Sequence, residues 1–295
     1  MLLNRVAKLA AVPILALLGL AAASGEPAGS SARTTAALPR FDHVVIALFE
    51  NKNYSDIAGD NGSASYIKSL AAQGTLFTNA FGVTHPSQPN YLALFSGSQQ
   101  GVTGDSCPVD SQADNLGQQL LKAGKTFKGY SEGLPKAGYT GCSSGRYVRK
   151  HAPWVDFPTV KGAEYNVPYS AFPSDYSKLP TVSFVIPDMC DDMHDCSIKT
   201  GDSWLKSHLD GYAQWAKTHN SLLIATFDED NFTSVNQICT LFVGDHVKAG
   251  YRSGTQINHY NVLRTLEDMY GLPALGKASG KQPITDAWAT ATGGR

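Results

Sequence analysis

The sequence predicts an α/β protein, a three-layer α/β/α sandwich around a mostly parallel sheet. Near-continuous apolar runs recur along the chain, and such runs are typical of strands buried on both faces. Segments with helical spacing alternate with them, and several end at a glycine. There is no internal repeat. This alternation favours one sheet with helices on both faces.

The predicted elements follow one another along most of the chain. The apolar strand-like runs cover residues 43–49, 75–83, 126–130, 181–186, 221–227 and 237–243. Helical spacing covers residues 64–73, 115–123, 204–218 and 260–270, and a further helix is expected from Tyr91 onward. Glycines 74, 124 and 271 indicate where three of these helices end.

Composition excludes two classes of protein. The 295 residues include 24 Lys and Arg against 25 Asp and Glu, a formal net charge of −1. Such a balance gives no large positive field, so we expect no nucleic-acid partner. Hydrophobic residues make up 42% of the chain and charged residues 17%, which is typical of a folded protein and not of a disordered one.

Residues 1–23 are typical of a secretory signal peptide. Two basic residues precede an apolar run over residues 9–23 that ends in three alanines, which suits cleavage near Ser24. The alternative is a membrane anchor, but spanning a bilayer takes about 20 apolar residues, and Pro13 interrupts this shorter run. Residues 24–40 are expected to form a flexible linker. We therefore expect a secreted, extracellular protein without a stable membrane anchor.

All five cysteines follow this leader, and export to an oxidising compartment favours disulfides. Cys190 and Cys196 enclose a short loop and are the first expected pair. Cys107 and Cys142 lie in loop-like sequence and are the second. Cys239 lies in a strand-like run and is expected as a buried thiol. No pair has CxxC spacing, which excludes a zinc ribbon.

Polar side chains follow three of the predicted strands where those strands end. Glu50 and Asn51 follow the first strand, an Asp-rich segment over 188–195 follows another, and Asp228 and Glu229 follow a third. Ligands bind at the carboxyl ends of strands in open α/β sheets. Buried carboxylates repel each other unless a cation compensates, and hard oxygen ligands suit a divalent cation. For each segment taken alone, the alternative is a solvated loop.

Ser87 lies at the junction between the 75–83 strand and the helix that follows it. A helix N-terminus offers free N–H groups and the positive end of the helix dipole, which together suit a phosphate group. The alternative is that Ser87 only caps the helix.

The segment Pro86-Ser87-Gln88-Pro89-Asn90-Tyr91 resembles the nucleophile turn of the alkaline-phosphatase-like superfamily, in which Ser or Thr is followed by x-Pro-Asn-aromatic. More broadly, the body of the chain is similar to the phosphoesterase family of bacterial phospholipases C and acid phosphatases. The order of the motifs carries the resemblance, and the motifs lie at 43–51, 84–91, 149–151, 192–195, 228–230 and 259–263.

The resemblance implies an alkaline-phosphatase-like fold, one catalytic domain over 41–295, and roles for individual residues. Ser87 matches the nucleophile, and Asn90 matches an amide that hydrogen-bonds the transferring phosphoryl group. Further catalytic residues are His194 and Asp195, near the leaving group, and His259.

The resemblance also implies a cofactor and substrate contacts. One divalent metal ion of open identity is expected. In place of the second ion of a two-metal phosphatase, this chain offers His194, His259, Lys150 or His151. The implied metal ligands are Glu50, Asn51, Asp228 and Glu229. The implied substrate-binding residues are His85, Lys150 and His151.

We therefore expect an acid phosphatase that hydrolyses phosphate monoesters of small molecules or lipids, including phosphoinositides such as phosphatidylinositol 3-phosphate. Ser87 would form a phosphoseryl intermediate, and His194 would protonate the leaving oxygen. A histidine pKa of about 6.5 suits a mildly acidic optimum.

A phospholipase C-type phosphodiesterase is the alternative. A binding module that lost catalysis is a third hypothesis, which the intact Ser87, Glu50 and Asp228 disfavour. The oligomeric state stays open.

Overall fold

A nine-stranded mixed sheet organises residues 38–289, the part of the chain that this computed structural model describes. The expected signal peptide and most of the expected linker lie outside the described residues. The strands are β1 (His43–Phe49), β2 (Thr75–Phe81), β3 (Phe127–Ser131), β4 (Ser143–Ser144), β5 (Tyr147–Val148), β6 (Asn166–Pro168), β7 (Val182–Ile186), β8 (Ser221–Phe227), β9 (Gln237–Gly244), β10 (Tyr251–Ser253) and β11 (Ile257–Asn258).

The α-helices lie between β1 and β2, between β2 and β3, between β7 and β8, and after β11. They are α1 (Tyr54–Ile57), α2 (Ser65–Ala71), α3 (Ser87–Ser96), α4 (Leu116–Lys122), α5 (Ile198–Ala216) and α6 (His259–Tyr270). Short 3₁₀ helices lie at Arg149–His151, Pro153–Asp156, Tyr169–Ala171, Tyr176–Lys178 and Gly276–Gly280.

The strand order is β10-β2-β9-β8-β1-β7-β3-β6, and β11 also pairs with β2. Within the described sheet every pairing is parallel except those of β9, which is antiparallel to both β2 and β8. Strands β4 and β5 form a separate hairpin. The prediction of a mostly parallel α/β sheet is confirmed.

The central strands are buried because their sequences are apolar on both faces. Val44 to Phe49 of β1 and all of β8 are buried, as the near-continuous apolar runs predict. Helices α2 and α5 pack against each other and beside β9, whereas α3, α4 and α6 form a second packed group. The sheet between these two groups delivers the carboxyl ends of β1, β7 and β8 to one edge.

Two helices begin earlier than their apolar spacing indicates. Helix α5 starts at Ile198 because Ser197 caps it by accepting a hydrogen bond from the Thr200 N–H. Helix α3 starts at Ser87, four residues before Tyr91. Pro89 is tolerated there because the first turn of a helix has no intrahelical use for its missing N–H.

Candidate active site

The polar residues that follow β1, β7 and β8 lie together at one edge of the sheet. The Glu50 N–H donates to the Asp192 carbonyl at 2.8 Å, and the Asp228 N–H donates to the Phe49 carbonyl at 3.0 Å. These bonds tie the three strand ends to one another. The edge therefore collects buried carboxylates from segments that are far apart in the chain.

Ser87 lies at the centre of this group and is buried. Its hydroxyl donates to Glu50 Oε2 at 2.8 Å, and Asn51 Oδ1 and Glu229 Oε1 lie 3.4 and 3.3 Å from it. The N-cap of α3 is Pro86, and no side chain caps this helix. Ser87 is thus the first residue of the helix and does not serve as its cap.

Glu50 is held from its other side by two aromatic side chains. The Tyr91 hydroxyl donates to Glu50 Oε1, and His151 Nε2 lies 3.2 Å from the same oxygen. The Tyr91 and His151 rings stack with centroids 5.0 Å apart. Because Oε1 is engaged in this way, Oε2 is left to accept the Ser87 proton.

The second nitrogen of His151 faces another buried carboxylate. Nδ1 lies 3.2 Å from Asp192 Oδ2. Burial lowers the pKa of His151 to about 4 and raises the pKa of Asp192 to about 8. A neutral, buried imidazole therefore lies between Glu50 and Asp192, near both carboxylates but without a hydrogen bond of good geometry to either.

Asp228 and Glu229 complete the carboxylate group. Asn51 has a φ of 41°, in the left-handed region, and this turn lets its N–H donate to Asp228 Oδ1 at 3.3 Å. Burial, together with the charges of Glu50 and Glu229, raises the pKa of Asp228 well above its ordinary value. Burial also raises the pKa of Glu229, although His85 Nδ1 lies 2.5 Å from its Oε2 and opposes that rise.

This set of oxygen donors suits a divalent cation by its chemistry, but within the described structure the ligand atoms of Glu50, Asp228 and Glu229 do not all lie within 4.8 Å of one another. The side chains of the set are hard oxygen donors, and Asp228 Oδ2 is buried with no hydrogen-bond partner among the described residues. A buried, unpartnered carboxylate oxygen is costly unless a positive charge compensates it. A separate acidic group could also hold a metal, since ligand atoms of Glu132, Asp188 and Asp191 all lie within 4.8 Å of one another.

Basic side chains lie near the start of α3. Lys150 Nζ is 2.7 Å from Asp105 Oδ2, and Asp105 Oδ1 accepts a hydrogen bond from the Gln88 N–H. Burial works to lower the pKa of Lys150, but the hydrogen bond to Asp105 and the charge of Glu50 raise it overall. Lys150 therefore stays protonated beside the helix N-terminus.

His194 and Asp195 lie on the rim. His194 Nδ1 is 2.7 Å from Asp195 Oδ1, and the His194 ring centroid is 6.4 Å from that of His151. The disulfide between Cys190 and Cys196 encloses both residues. This pairing and the Cys107–Cys142 pairing confirm the predicted disulfides, and Cys239 is the buried free thiol as predicted.

The structure places Asn90 differently from the role that the resemblance implies. Its Oδ1 accepts from the Val83 and Thr84 N–H groups at 2.8 and 3.1 Å. Its Nδ2 donates to the Thr84 and Pro86 carbonyls at 2.9 and 3.2 Å. The amide is occupied by the turn that leads into Ser87, so in this structure Asn90 shapes that turn instead of facing a phosphoryl group.

His259 likewise lies behind the site. Its Nε2 is 2.6 Å from the Asp228 carbonyl oxygen, and its side chain is buried. Burial lowers the pKa of His259 to about 4. A neutral His259 therefore holds the Asp228 backbone by donating a hydrogen bond.

Sequence reasoning missed three residues of the site. In the sequence, Tyr91 stands out only as the aromatic residue of the turn, and Asp192 lies in an Asp-rich run where nothing distinguishes it. Lys52 is half-buried, and burial lowers its pKa against the opposing charges of Asp192, Glu50 and Asp228. In the sequence, Lys52 is the one basic residue directly after Glu50 and Asn51, and this position could have indicated that it belongs to the site.

Comparison with known proteins finds a matching family and named relatives. A family model described as the Phosphoesterase family matches residues 60–273, more than half of the chain. A phosphatidylinositol-3-phosphatase of Mycobacterium tuberculosis is 55% identical over 255 residues, covering 85% of this chain and 84% of that protein. An acid phosphatase of Aspergillus fumigatus is 32% identical over 306 residues, covering 95% of this chain and 66% of that protein.

A solved structure shares the fold. The crystal structure of a protein in the alkaline phosphatase superfamily from Vibrio parahaemolyticus has a TM-score of 0.57 at 14% identity, covering 84% of this chain and 73% of that one. The expected alkaline-phosphatase-like fold is confirmed. Among residues 38–289, no helix has the length and apolar character needed to cross a membrane.

Proposed function

Because the chain belongs to the phosphoesterase family, we propose that it is a secreted phosphatase that hydrolyses phosphate monoesters and acts on phosphoinositides. Relatives named as phosphatidylinositol-3-phosphatase and acid phosphatase support the reaction and the substrate class. The two disulfides and the leader-like residues 1–23 support an extracellular location. The observation that carries the proposal is the Ser87 hydroxyl, which lies at the start of α3 among three acidic or amide oxygens.

The proposed reaction has two steps. Ser87 Oγ attacks phosphorus, its proton passes to Glu50 Oε2, and the bond from phosphorus to the alcohol oxygen breaks. His194 gives the departing oxygen its proton. Water then attacks the phosphorus of the phosphoserine and gives a proton to His194, the bond from phosphorus to Ser87 Oγ breaks, and Glu50 returns its proton to Oγ as inorganic phosphate leaves. Lys150 and the N-terminus of α3 stabilise the negative charge in both steps.

A bound divalent cation fits this scheme at the ligand set formed by Glu50, Asn51, Asp228 and Glu229. Such an ion neutralises phosphate oxygens and lowers the pKa of a coordinated hydroxyl. Independently of the ion, Tyr91 and His151 keep Glu50 oriented toward Ser87.

The test compares p-nitrophenyl phosphate with bis(p-nitrophenyl) phosphate. We expect the monoester to be hydrolysed at least about tenfold faster, a difference in activation free energy of about 1.4 kcal/mol. Acid quenching with a ³²P-labelled monoester should trap label on the wild type and not on Ser87→Ala. Preference for the diester would favour the phospholipase C-type reaction, and label on another residue would overturn the role of Ser87.

A further inference from the structure

A loop beside the active site exposes two apolar side chains. Phe232 and Val235 have 60% and 61% of their surface accessible, and they are the exposed large hydrophobic residues of the part of the chain that the structure describes. We call residues 231–236 the apolar tip. Phe232 and Val235 lie three residues apart on one loop, directly after the buried Asp228, Glu229 and Asp230.

The apolar tip is held in a fixed shape by its own polar groups. Asp230 Oδ1 accepts from the Thr233 N–H at 2.8 Å, and Asn236 Oδ1 accepts from the Asp230 N–H at 2.9 Å. Phe232 has a φ of 58°, which is unfavourable for a bulky residue and persists only where the surroundings enforce it. The loop therefore presents its apolar side chains outward instead of folding them against the core.

Contacts connect the apolar tip to the nucleophile in three steps. The Phe232 ring stacks on His85 with centroids 5.1 Å apart. His85 Nδ1 lies 2.5 Å from Glu229 Oε2, and Glu229 Oε1 lies 3.3 Å from Ser87 Oγ. Any partner that covers the tip therefore also covers the rim of the active site.

We propose that the apolar tip inserts into the surface of a phospholipid bilayer and thereby places the active site over a lipid-borne phosphate monoester. This inference rests on the proposed function. A lipid phosphate lies at the level of the headgroups. When Phe232 and Val235 enter the boundary between headgroups and acyl chains, the rim of the active site comes to that same level.

Charge favours an apolar mode of contact over an electrostatic one. The chain has a formal net charge of −1, so it has no large positive field to hold it on an anionic membrane. Residues 231–237 (Asn-Phe-Thr-Ser-Val-Asn-Gln) carry no charged side chain. The neighbouring Asp230 is buried with its carboxylate hydrogen-bonded to Thr233, so insertion exposes no ionic group to the acyl chains.

Membrane contact is tested with a fluorophore that responds to polarity, attached at Val235→Cys. Thr218→Cys is the matched control, since it is exposed and lies just before β8, at the opposite end of that strand from the site. Cys239 is buried, and burial raises its thiol pKa to about 12, so it stays unlabelled. Phosphatidylcholine vesicles, with and without phosphatidylinositol 3-phosphate, should shift the emission to the blue at position 235 and not at 218.

Ionic strength identifies the kind of contact. An apolar insertion should keep its spectral shift at high salt, whereas association through surface charge would be screened. Absence of a shift at 235, equal shifts at both positions, or loss of the shift at high salt would each overturn the proposal.

Activity gives a second readout. Val235→Ser should lower kcat/KM about tenfold on phosphatidylinositol 3-phosphate in vesicles, because about 1.4 kcal/mol of apolar burial is lost, and should leave p-nitrophenyl phosphate hydrolysis unchanged. Phe232→Ser also removes the stack on His85, so Phe232→Leu, which keeps the apolar side chain, should retain more of the vesicle activity. Equal losses on both substrates, or no loss on vesicles, would contradict insertion.

The two proposals fail in different ways. A wild-type protein that gives the spectral shift but does not cleave the lipid would leave the membrane contact standing and refute the phosphoinositide substrate. Concentration-dependent dimerisation that Val235→Ser abolishes would assign the apolar tip to a second copy of the chain and would overturn the membrane proposal.

Discussion

At the scale of single residues, the site depends on how each oxygen of Glu50 is used. Tyr91 and His151 occupy Oε1, so Oε2 faces the Ser87 hydroxyl at 2.8 Å. A hydroxyl has one proton to donate. The shortest of its three contacts is to Glu50, which makes Glu50 the natural acceptor of the Ser87 proton.

Ser87→Ala should lower the turnover of p-nitrophenyl phosphate by roughly 10³-fold or more, because no other group can form the covalent intermediate. Its melting temperature should fall only slightly, since Glu50 Oε2 loses the Ser87 hydrogen bond while Oε1 keeps the Tyr91 hydroxyl. Ser96→Ala is the control: Ser96 is a buried serine of the same helix that donates to the Leu92 carbonyl. Near-normal turnover by Ser87→Ala would remove Ser87 from the mechanism.

Asn90→Ala should destabilise the protein by about 1–3 kcal/mol as well as lower kcat, because backbone groups of the turn before Ser87 lose their partners. Asn90→Asp should be no better, since its carboxylate would face the Thr84 and Pro86 carbonyls. Urea denaturation and kcat measured on the same samples check this. A loss of kcat with unchanged stability would favour direct contact between Asn90 and the substrate.

At the scale of elements, the connection from β7 to α5 combines a short disulfide loop with two candidate catalytic side chains. The Cys190 and Cys196 sulfurs close a loop of sequence separation 6 around His194 and Asp195. His194 is partly exposed and Asp195 is exposed. Met193 of the same loop is buried in the core, so its packing and the covalent closure together define where the polar side chains lie.

Replacing Cys190 and Cys196 with Ser together should lower turnover more than it lowers stability. In the chain-entropy model, closing so short a loop contributes only about 2–3 kcal/mol. A misplacement of about 1 Å at a proton donor can cost on the order of 100-fold in rate. Melting temperature and kcat are measured in parallel.

The matched control replaces Cys107 and Cys142, whose separation is 35 residues. Their loss should lower the melting temperature more, because the longer loop constrains the unfolded chain more strongly. Thiol titration of the unfolded, unreduced wild type should find one reactive thiol, that of Cys239. Five would refute both bridges.

At the scale of the whole molecule, a nearly neutral chain concentrates buried acidic groups at one edge of its sheet. Glu50, Asp192, Asp228, Glu229 and Asp230 are all buried there. Like charges at close range destabilise the folded state unless protons or cations compensate them. The stability of the molecule and the occupancy of its site are therefore expected to be linked.

Removal of divalent cations with a chelator should lower both the activity and the melting temperature, because a ligand bound only by the folded state stabilises it. Adding a divalent cation back should restore the melting temperature. Asp228→Asn should weaken this thermal response, since it removes one charge from the ligand set. A melting temperature that chelation does not change would argue against the cation site.

Glu267, a buried residue remote from the site, makes the stability of the protein depend on pH. It is buried on α6, its Oε1 accepts from the Leu275 N–H, and burial raises its pKa from an ordinary 4.5 to about 7. A raised pKa means that the folded state binds the proton more tightly than the unfolded state. The stability from this group is therefore present below pH 4.5 and lost as the pH rises through 7.

Glu267→Gln keeps the acceptor for the Leu275 N–H and has no charge to bury. Its melting temperature relative to the wild type should therefore rise between pH 5 and pH 8, by roughly 2–4 °C for each kcal/mol of relief. Asp268→Asn is the control, because this exposed neighbour forms only a surface ion pair with Arg264 and should show no such trend. A Glu267→Gln difference that is constant with pH would contradict the assignment.

The sequence by itself determined the elements whose burial is uniform. The bounds of β1 and β8 match the apolar runs residue for residue. The cysteine pairing follows from one short loop, from the loop-like sequence around Cys107 and Cys142, and from the strand-like context of Cys239. It also placed Ser87 at a junction between a strand and a helix. These features are local, because a period of two or 3.6 residues, or a short loop, depends only on residues that are close together in the chain.

Only the tertiary structure decided how the site is assembled. The contacts of Ser87 with Glu50 and Glu229 join residues 37 and 142 positions apart, and no local pattern records such distances. The same holds for the Tyr91 and His151 contacts with Glu50, for the use of Asn90 by its own turn, and for the outward Phe232. Each of these contacts depends on how the chain carries β2 and α3 to the ends of β1 and β8. Two groups interact strongly only when the fold brings them within a few ångströms of each other.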